Sequence, residues 1–142
     1  MKVNTAFLAD AATIREGLLH VLGAPITRLW RAQDDRTLRV QLVILLELGL
    51  ADYGVPHQVQ ANLNGPSIAM GKGITVFTAT KPPRLEPGET LILPQVIDLH
   101  AGEWYELGRH QVEIQLDDAP AEYVFEFYVL HPEEAMLPPL DT

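Results

Sequence analysis

Polar and apolar residues alternate most clearly between positions 108 and 130. From His110 to Leu116 every second side chain is apolar or imidazole, and the residues between them are polar. Asp117-Asp118-Ala119-Pro120 has the composition of a turn, and the alternation resumes from Tyr123 to Val129. A period of two, broken by an Asp/Pro turn, predicts two antiparallel strands whose apolar face packs against a second sheet.

The same period recurs along most of the chain. It predicts a strand over 2–8, an extended stretch over 18–30 with a bulge or sheet switch at Gly23-Ala24-Pro25, and a central strand over 38–50. Further along it predicts a strand over 57–63 and an extended stretch that runs to Thr80 and is interrupted by Gly71-Lys72-Gly73. A last strand over 91–99 contains Pro94, which places it at an edge or at a sheet crossing. A helix over 38–50 is the alternative, because Leu38, Leu42 and Leu46 also share a helical face. Residues 10–17 fit equally well a single helical turn capped by Asp10 or a loop ending in a Glu16-Gly17 turn.

These elements predict an all-β protein. Seven or eight strands separated by turn signals, with at most one short helical turn, are typical of a two-layer antiparallel immunoglobulin-like sandwich. A closed barrel is the alternative architecture. We assign residues 1–130 to the β-sandwich domain and residues 131–142 to an extended, acidic, Pro-rich C-terminal tail.

Composition narrows the function classes. The chain has 142 residues, 47% of them hydrophobic and 20% charged, which fits one globular domain. Its net charge of −9 argues against binding to nucleic acid or to anionic lipid. It has no cysteine, which excludes disulfides, thiolate metal sites and a Cys nucleophile. With no signal-peptide pattern and no run of about 20 apolar residues, we expect a soluble cytoplasmic protein with neither a nucleic-acid nor a membrane partner.

Two segments resemble known bacterial proteins. Asp10, Ala11-Ala12, Gly17, the apolar run 18–22, Gly23 and Ile26 resemble the opening of an uncharacterised family of small bacterial β-sandwich proteins. Leu18 stands where members of that family often carry Lys. The segments 86–89 and 108–112 resemble the late strands of bacterial immunoglobulin-like domains. The resemblance implies a fold and carries no activity.

Candidate catalytic groups do not assemble into a site. The five histidines show neither HxH nor HxxxH spacing, and only Asp98 and His100 share a strand face. His110 lies on the inward side of its strand, where we expect a ring nitrogen bonded to a backbone carbonyl. Ser67 lacks a nucleophile elbow, and the adjacent acid pairs lie in turns or in the tail. We therefore predict no catalytic residue, no metal and no cofactor, and a protein that is not an enzyme.

The sequence gives better candidates for partner binding, on the predicted surface, than for catalysis. The predicted partner-binding residues combine an Arg/Trp cluster around one turn with the apolar part of the tail, and they are Arg28, Trp30, Arg31, Arg36, Arg39, Met136, Leu137 and Leu140. Apolar residues such as Val43 and Val124 fall on faces that the alternation assigns to solvent, so something should cover them.

The resulting hypothesis is a non-enzymatic protein–protein interaction or assembly subunit of a bacterial complex, which binds a protein partner or forms a homo-oligomer. The alternative is a small-ligand or carbohydrate-binding sandwich that uses Trp104 and Tyr105.

Overall fold

A computed structural model describes residues 1–30, 40–67, 69–99 and 106–131. These residues form ten β-strands and one 3₁₀ turn, Leu50–Asp52. The strands are β1 (Lys2–Ala9), β2 (Ala11–Arg15), β3 (Leu18–Leu22), β4 (Arg28–Trp30), β5 (Gln41–Leu48), β6 (Pro56–Asn64), β7 (Ala69–Thr78), β8 (Leu91–Asp98), β9 (Gly108–Leu116) and β10 (Tyr123–Leu130). No helix in the described ranges has the length and apolar character of a membrane span.

The strands form three sheets. A three-stranded sheet has the order β1-β5-β8, a five-stranded sheet has the order β4-β10-β9-β6-β7, and β2 and β3 form a two-stranded sheet. All neighbours are antiparallel except β4, which runs parallel to the end of β10. The inward side chains of the two larger sheets form one core that includes Leu8, Ile44, Val59, Ile114 and Phe127. The alternation in sequence therefore encodes the inward faces of both sheets.

The two larger sheets approach each other along both sides. On one side, β1 contacts β10, with Val3 N–H donating to Glu122 Oε1 over 3.3 Å. On the other side, β7 contacts β8 at Gly73, where a Cβ atom would lie only 2.8 Å from Ile97 Cγ2. Glycine at position 73 therefore permits the close approach of two strands that belong to different sheets.

The all-β class is confirmed, and several boundaries match. Of the two positions predicted for the strand with Pro94, the edge is confirmed, because β8 pairs with β5 alone among the described residues. The final hairpin lies where the alternation places it, with Phe125 opposite Val112. The extended character of residues 41–48 excludes the helical alternative for that part of the chain.

Other expectations were wrong. Ten strands are present in the described residues rather than seven or eight, because the stretch between β1 and β5 contributes three. Residues 11–15 form β2, so only the Glu16-Gly17 turn survives from the two alternatives for 10–17. Gly71-Lys72-Gly73 does not interrupt β7, which pairs with β6 through all three residues. Val43 is fully buried rather than on a wet face.

The strand register defines two opposite ends of the molecule. At one end, which we call the hairpin end, Ala9, Gln41 and Asp98 lie in one row and Leu130 lies beside Trp30. At the other end, which we call the turn end, the 3₁₀ turn follows β5 and the turn at Asp117-Asp118 joins β9 to β10. The tail assigned to 131–142 begins at His131, the last described residue, and its start therefore lies at the hairpin end.

Candidate interaction surface

The β2–β3 hairpin is the main feature of the hairpin end. Its two-residue turn has Glu16 at φ 53° and Gly17 at φ 76°, the left-handed pair that a type I′ turn requires. The strands pair in one unbroken register from Ala11 opposite Leu22 to Arg15 opposite Leu18. Where the hairpin leaves the body, Asp10 N–H donates to Gly23 O over 3.0 Å. Local turn chemistry and this closing bond therefore define the two ends of the hairpin.

One side of the hairpin packs on the body of the protein. β2 contacts both β5 and β8, and the Ala12 N–H donates to Gln41 Oε1. Val43, on the outward face of β5, is fully buried. We infer that β2 covers it, since β2 is the described element outside the two large sheets that contacts β5. Part of the apolar surface that the sequence assigns to solvent is thus covered by the chain itself.

The other side of the hairpin faces outward, and we call it the hairpin face. The register places six side chains on this side, and all six are exposed: Ala11, Thr13, Arg15, Leu18, His20 and Leu22. Leu18 is 65% exposed and Leu22 is 72% exposed. A folded domain gains little from leucines held this far in water. The hairpin face is therefore a candidate docking surface rather than part of the core.

Shallow apolar grooves extend this surface. One groove of about 570 Å³ lies between β1 and β3 and is lined mainly by Phe7, Val21 and Pro25. A second, of about 740 Å³, continues along residues 23–30 and ends at Trp30. Residues 18–27 contain no charged side chain. The hairpin and the segment after it thus form a continuous, nearly uncharged surface.

The structure brings some of the predicted partner-binding residues to this surface. Arg28 and Trp30 lie on β4 beside the second groove, and Trp30 is 48% exposed. The other members of the predicted set, Arg31, Arg36, Arg39, Met136, Leu137 and Leu140, lie outside the described residues. Trp104 and Tyr105, which carry the alternative hypothesis, also lie outside them. Val124 and Tyr128 are exposed on the outer face of β10.

The turn end carries a polar cluster that the sequence analysis missed. His57 is 7% exposed at the start of β6 and bridges two elements that are distant in sequence. Its Nδ1 lies 2.8 Å from Asp117 Oδ2, and its Nε2 lies 2.7 Å from the Asp52 carbonyl oxygen. Asp117 also accepts the Gln58 N–H over 2.8 Å. Asp52 Oδ2 lies 2.9 Å from the Met1 ammonium nitrogen and accepts the Gly49 N–H over 2.8 Å.

This geometry selects the charged form of His57. Both ring nitrogens face acceptors, so both must donate, which only the imidazolium does. Burial by itself lowers the pKa of His57, but the hydrogen bonds to Asp117 and to the Asp52 carbonyl, with the two carboxylate charges, raise it above its ordinary value of 6.5. Burial also opposes the charge on Asp117, yet the Gln58 N–H and His57 hold its pKa below 3.8. The cluster is a set of ion pairs and hydrogen bonds that joins the 3₁₀ turn, the turn at Asp117 and the start of β6.

None of the remaining candidates forms a reactive constellation in the described residues. His110 is fully buried with its Nδ1 3.1 Å from the Gly108 carbonyl oxygen, which confirms its predicted core role. Ser67 Oγ donates to Glu106 Oε2 over 2.6 Å on the surface. No group of three or more metal-ligating side chains occurs in ranges 1–30, 40–67, 69–99 and 106–131. Asp98 is described, whereas His100, its proposed companion, is not.

Comparisons with known proteins add nothing to this geometry. A scan against protein-family models, a search of curated proteins and a search of solved structures each returned no match. The resemblance to an uncharacterised bacterial family therefore stays a prediction.

Proposed function

We propose that this protein is a non-enzymatic interaction or assembly module that contacts another protein, or further copies of itself, through the hairpin end. The observation that carries the proposal is the hairpin face, where Leu18 and Leu22 are each about two-thirds or more exposed. Association with an apolar partner would remove these side chains from water, and burial of apolar area is the main driving force of such contacts.

The surface next to the hairpin face also supports the hairpin end as the site of contact. The uncharged segment 18–27 leads directly to Trp30 and Arg28, residue types that are enriched where interfaces carry most of their binding energy. In a chain of net charge −9, a nearly neutral surface is also where a second acidic protein approaches with least repulsion. The tail starts beside this surface, because Leu130 pairs with Trp30 immediately before it. We therefore propose that the tail contributes to the contact.

We also propose that the body of the protein is an immunoglobulin-like sandwich with an insertion. In chain order, β1 and β5 to β10 take the letters A, B, C, C′, E, F and G. With this lettering, the order β1-β5-β8 is A-B-E and the order β10-β9-β6-β7 is G-F-C-C′, as in such sandwiches. On this assignment β2, β3 and β4 are inserted between the first two strands. The insertion then carries the candidate surface, as functional segments often do on a rigid scaffold.

The proposal is tested by native size in clarified cell extract. We would compare the full-length protein with Leu18→Thr/Leu22→Thr, which keeps the strand propensity of both positions and removes their apolar bulk. The wild-type protein is expected to elute above the size of the 15.8 kDa monomer, and the double variant is expected to shift towards it.

Val76→Thr is the matched control. Val76 lies on the edge strand β7, on another part of the surface. Its side chain is 66% exposed, close to the 65% of Leu18. The control is expected to elute with the wild type. If all three proteins elute as monomers, or if both substitutions have equal effects, the hairpin end is not an interaction surface.

A further inference from the structure

Within the described part of the chain, the hairpin leaves one strand edge open. In antiparallel pairs, residues alternate between those that bond to the partner strand and those whose N–H and C=O point away. A two-residue turn makes Arg15 and Leu18 a bonded pair, and by alternation Thr13–His20 and Ala11–Leu22 are bonded as well. The Ala12 N–H then points away from β3, as its bond to Gln41 shows.

The same alternation applies to β3. The N–H and C=O groups of Leu19 and Val21 point away from β2, and Val21 lines the groove between β1 and β3. β3 has β2 as its one strand neighbour among the described residues. An open strand edge is a template for a further strand. The edge therefore has both the free groups and the room to accept one.

The sequence of β3 fits a copy of itself. Leu-Leu-His-Val-Leu reads almost the same in both directions around His20. A two-fold antiparallel pairing centred on His20 sets Leu18 opposite the partner's Leu22 and Leu19 opposite the partner's Val21. These Leu19–Val21 contacts are the bonded pairs, because both residues have outward N–H and C=O groups. No charged residue occurs in β3, so no like charges meet.

From this match, and resting on the proposed interaction function, we infer that the partner of the hairpin is a second copy of this chain. Two β3 strands pair about a two-fold axis at His20 and form a four-stranded sheet in the order β2-β3-β3-β2. A two-fold contact of this kind is self-complementary and closes at two subunits. The hairpin face then becomes continuous across the dimer, and Leu18 of each copy packs beside Leu22 of the other, which removes part of both side chains from water.

A single cysteine tests this register, because the chain contains none. His20 would face its copy in a non-bonded pair, where Cα atoms lie roughly 4.5 Å apart. That distance lies within the range that a disulfide spans, about 4.4 to 6.8 Å. Purified His20→Cys, exposed to oxidised glutathione, is therefore expected to form a disulfide-linked dimer.

Thr13→Cys is the matched control. Thr13 lies directly opposite His20 in the same hairpin and on the same exposed face. In the proposed four-stranded sheet, the two copies of residue 13 are three strand spacings apart, roughly 14 Å, too far for a disulfide. We expect cross-linking of His20→Cys at least ~10-fold faster than that of Thr13→Cys. Equal rates would overturn the two-fold pairing.

A charge variant gives a second readout that needs no oxidation. His20→Glu places two carboxylates face to face in the dimer, whereas Thr13→Glu puts the same charge one strand further away. In sedimentation velocity, His20→Glu is expected to weaken self-association at least ~5-fold relative to Thr13→Glu. Circular dichroism checks that both variants keep the fold. Equal weakening by the two variants would count against pairing at His20.

The outcome separates this inference from the proposed function. A purified protein that stays monomeric, with equal cross-linking of the two cysteine variants, removes the self-pairing. If Leu18→Thr/Leu22→Thr still changes the native size in extract, the hairpin end remains an interaction surface for a different protein. If that shift is absent as well, both the inference and the proposed function fail.

Discussion

The two ends of the molecule use their surface residues in opposite ways. At the turn end, polar side chains are joined by short hydrogen bonds, and His57 ties the turn at Asp117 to the turn at Asp52. At the hairpin end, apolar side chains of β3 lie in water and one strand edge is open. The first arrangement stabilises the folded chain. The second adds little to folding and is explained by association, so stability and binding should respond to different substitutions.

The largest effect on stability is expected from His57→Leu. This change leaves the Asp117 carboxylate and the Asp52 carbonyl without their donor, and hydrogen bonds to charged groups contribute about 1.5–3 kcal/mol each. We expect the free energy of unfolding to fall by about 2–3 kcal/mol in urea titrations. His20→Leu, measured in dilute protein, is the control at the other end and should change it by less than about 0.5 kcal/mol. Similar losses for both variants would remove the contrast between the ends.

The ion pairs of the turn end also predict that the stability of the protein falls at both high and low pH. Because the pKa of His57 is raised on folding, its contribution is complete below pH 6.5 and is lost as the pH rises through the higher folded value. Because the pKa of Asp117 is lowered, its contribution is present above pH 3.8 and is lost as the pH falls through the lower folded value. Stability should therefore be greatest between these limits.

Asp117→Asn sharpens this test. It removes the charge that raises the pKa of His57 while keeping a side chain of similar shape. Above pH 6.5 the stability of the variant should decline less steeply than that of the wild type. Thermal unfolding measured at several pH values checks this. Identical pH profiles for the variant and the wild type would show that the ion pair does not contribute.

Two adjacent turn residues should respond in opposite directions to the same substitution. Asp117 and Asp118 have φ of 48° and 60°, so glycine relieves a left-handed conformation at either position. Asp118→Gly should stabilise the protein by about 0.5 kcal/mol. Asp117→Gly should destabilise it in spite of the same relief, because it removes the bonds to His57 and to the Gln58 N–H. Denaturant midpoints of the two variants, measured together, check this prediction.

The smallest effect on stability is expected at the hairpin end. Leu18→Thr/Leu22→Thr replaces side chains that are already exposed and should shift the free energy of unfolding by less than about 0.5 kcal/mol. Its effect should appear in native size instead. A loss of several kcal/mol would mean that these leucines pack within the folded chain, and the hairpin face would not be a docking surface.

The sequence predicts the body of the fold better than its two ends. Alternation at 108–130 reveals β9 and β10 because large apolar residues recur at every second position next to an unmistakable turn. The same reasoning does not reveal β2, since Ala11, Ala12 and Thr13 have small side chains and the large Ile14 is exposed. A strand held mainly by its own hairpin needs no strong hydrophobic period, so its pattern is weak.

The polar cluster was missed for a different reason. The sequence identifies Asp117 as a turn residue, but its partner His57 lies sixty residues away, and no local pattern links them. One signal was present: His57 is in phase with Val59, Ala61 and Leu63 on the inward side of β6. An inward histidine at a strand end requires polar partners, which identifies the need for a cluster but not its members.

The most direct test of the central claim is the native mass of the full-length protein, compared with Leu18→Thr/Leu22→Thr. The range would run from dilute purified protein, roughly 1 µM, to roughly 1 mM, and then to cell extract. The account predicts that the wild-type mass rises above 15.8 kDa while the double variant stays close to it. A wild-type protein that remains at the monomer mass under every condition would contradict the account.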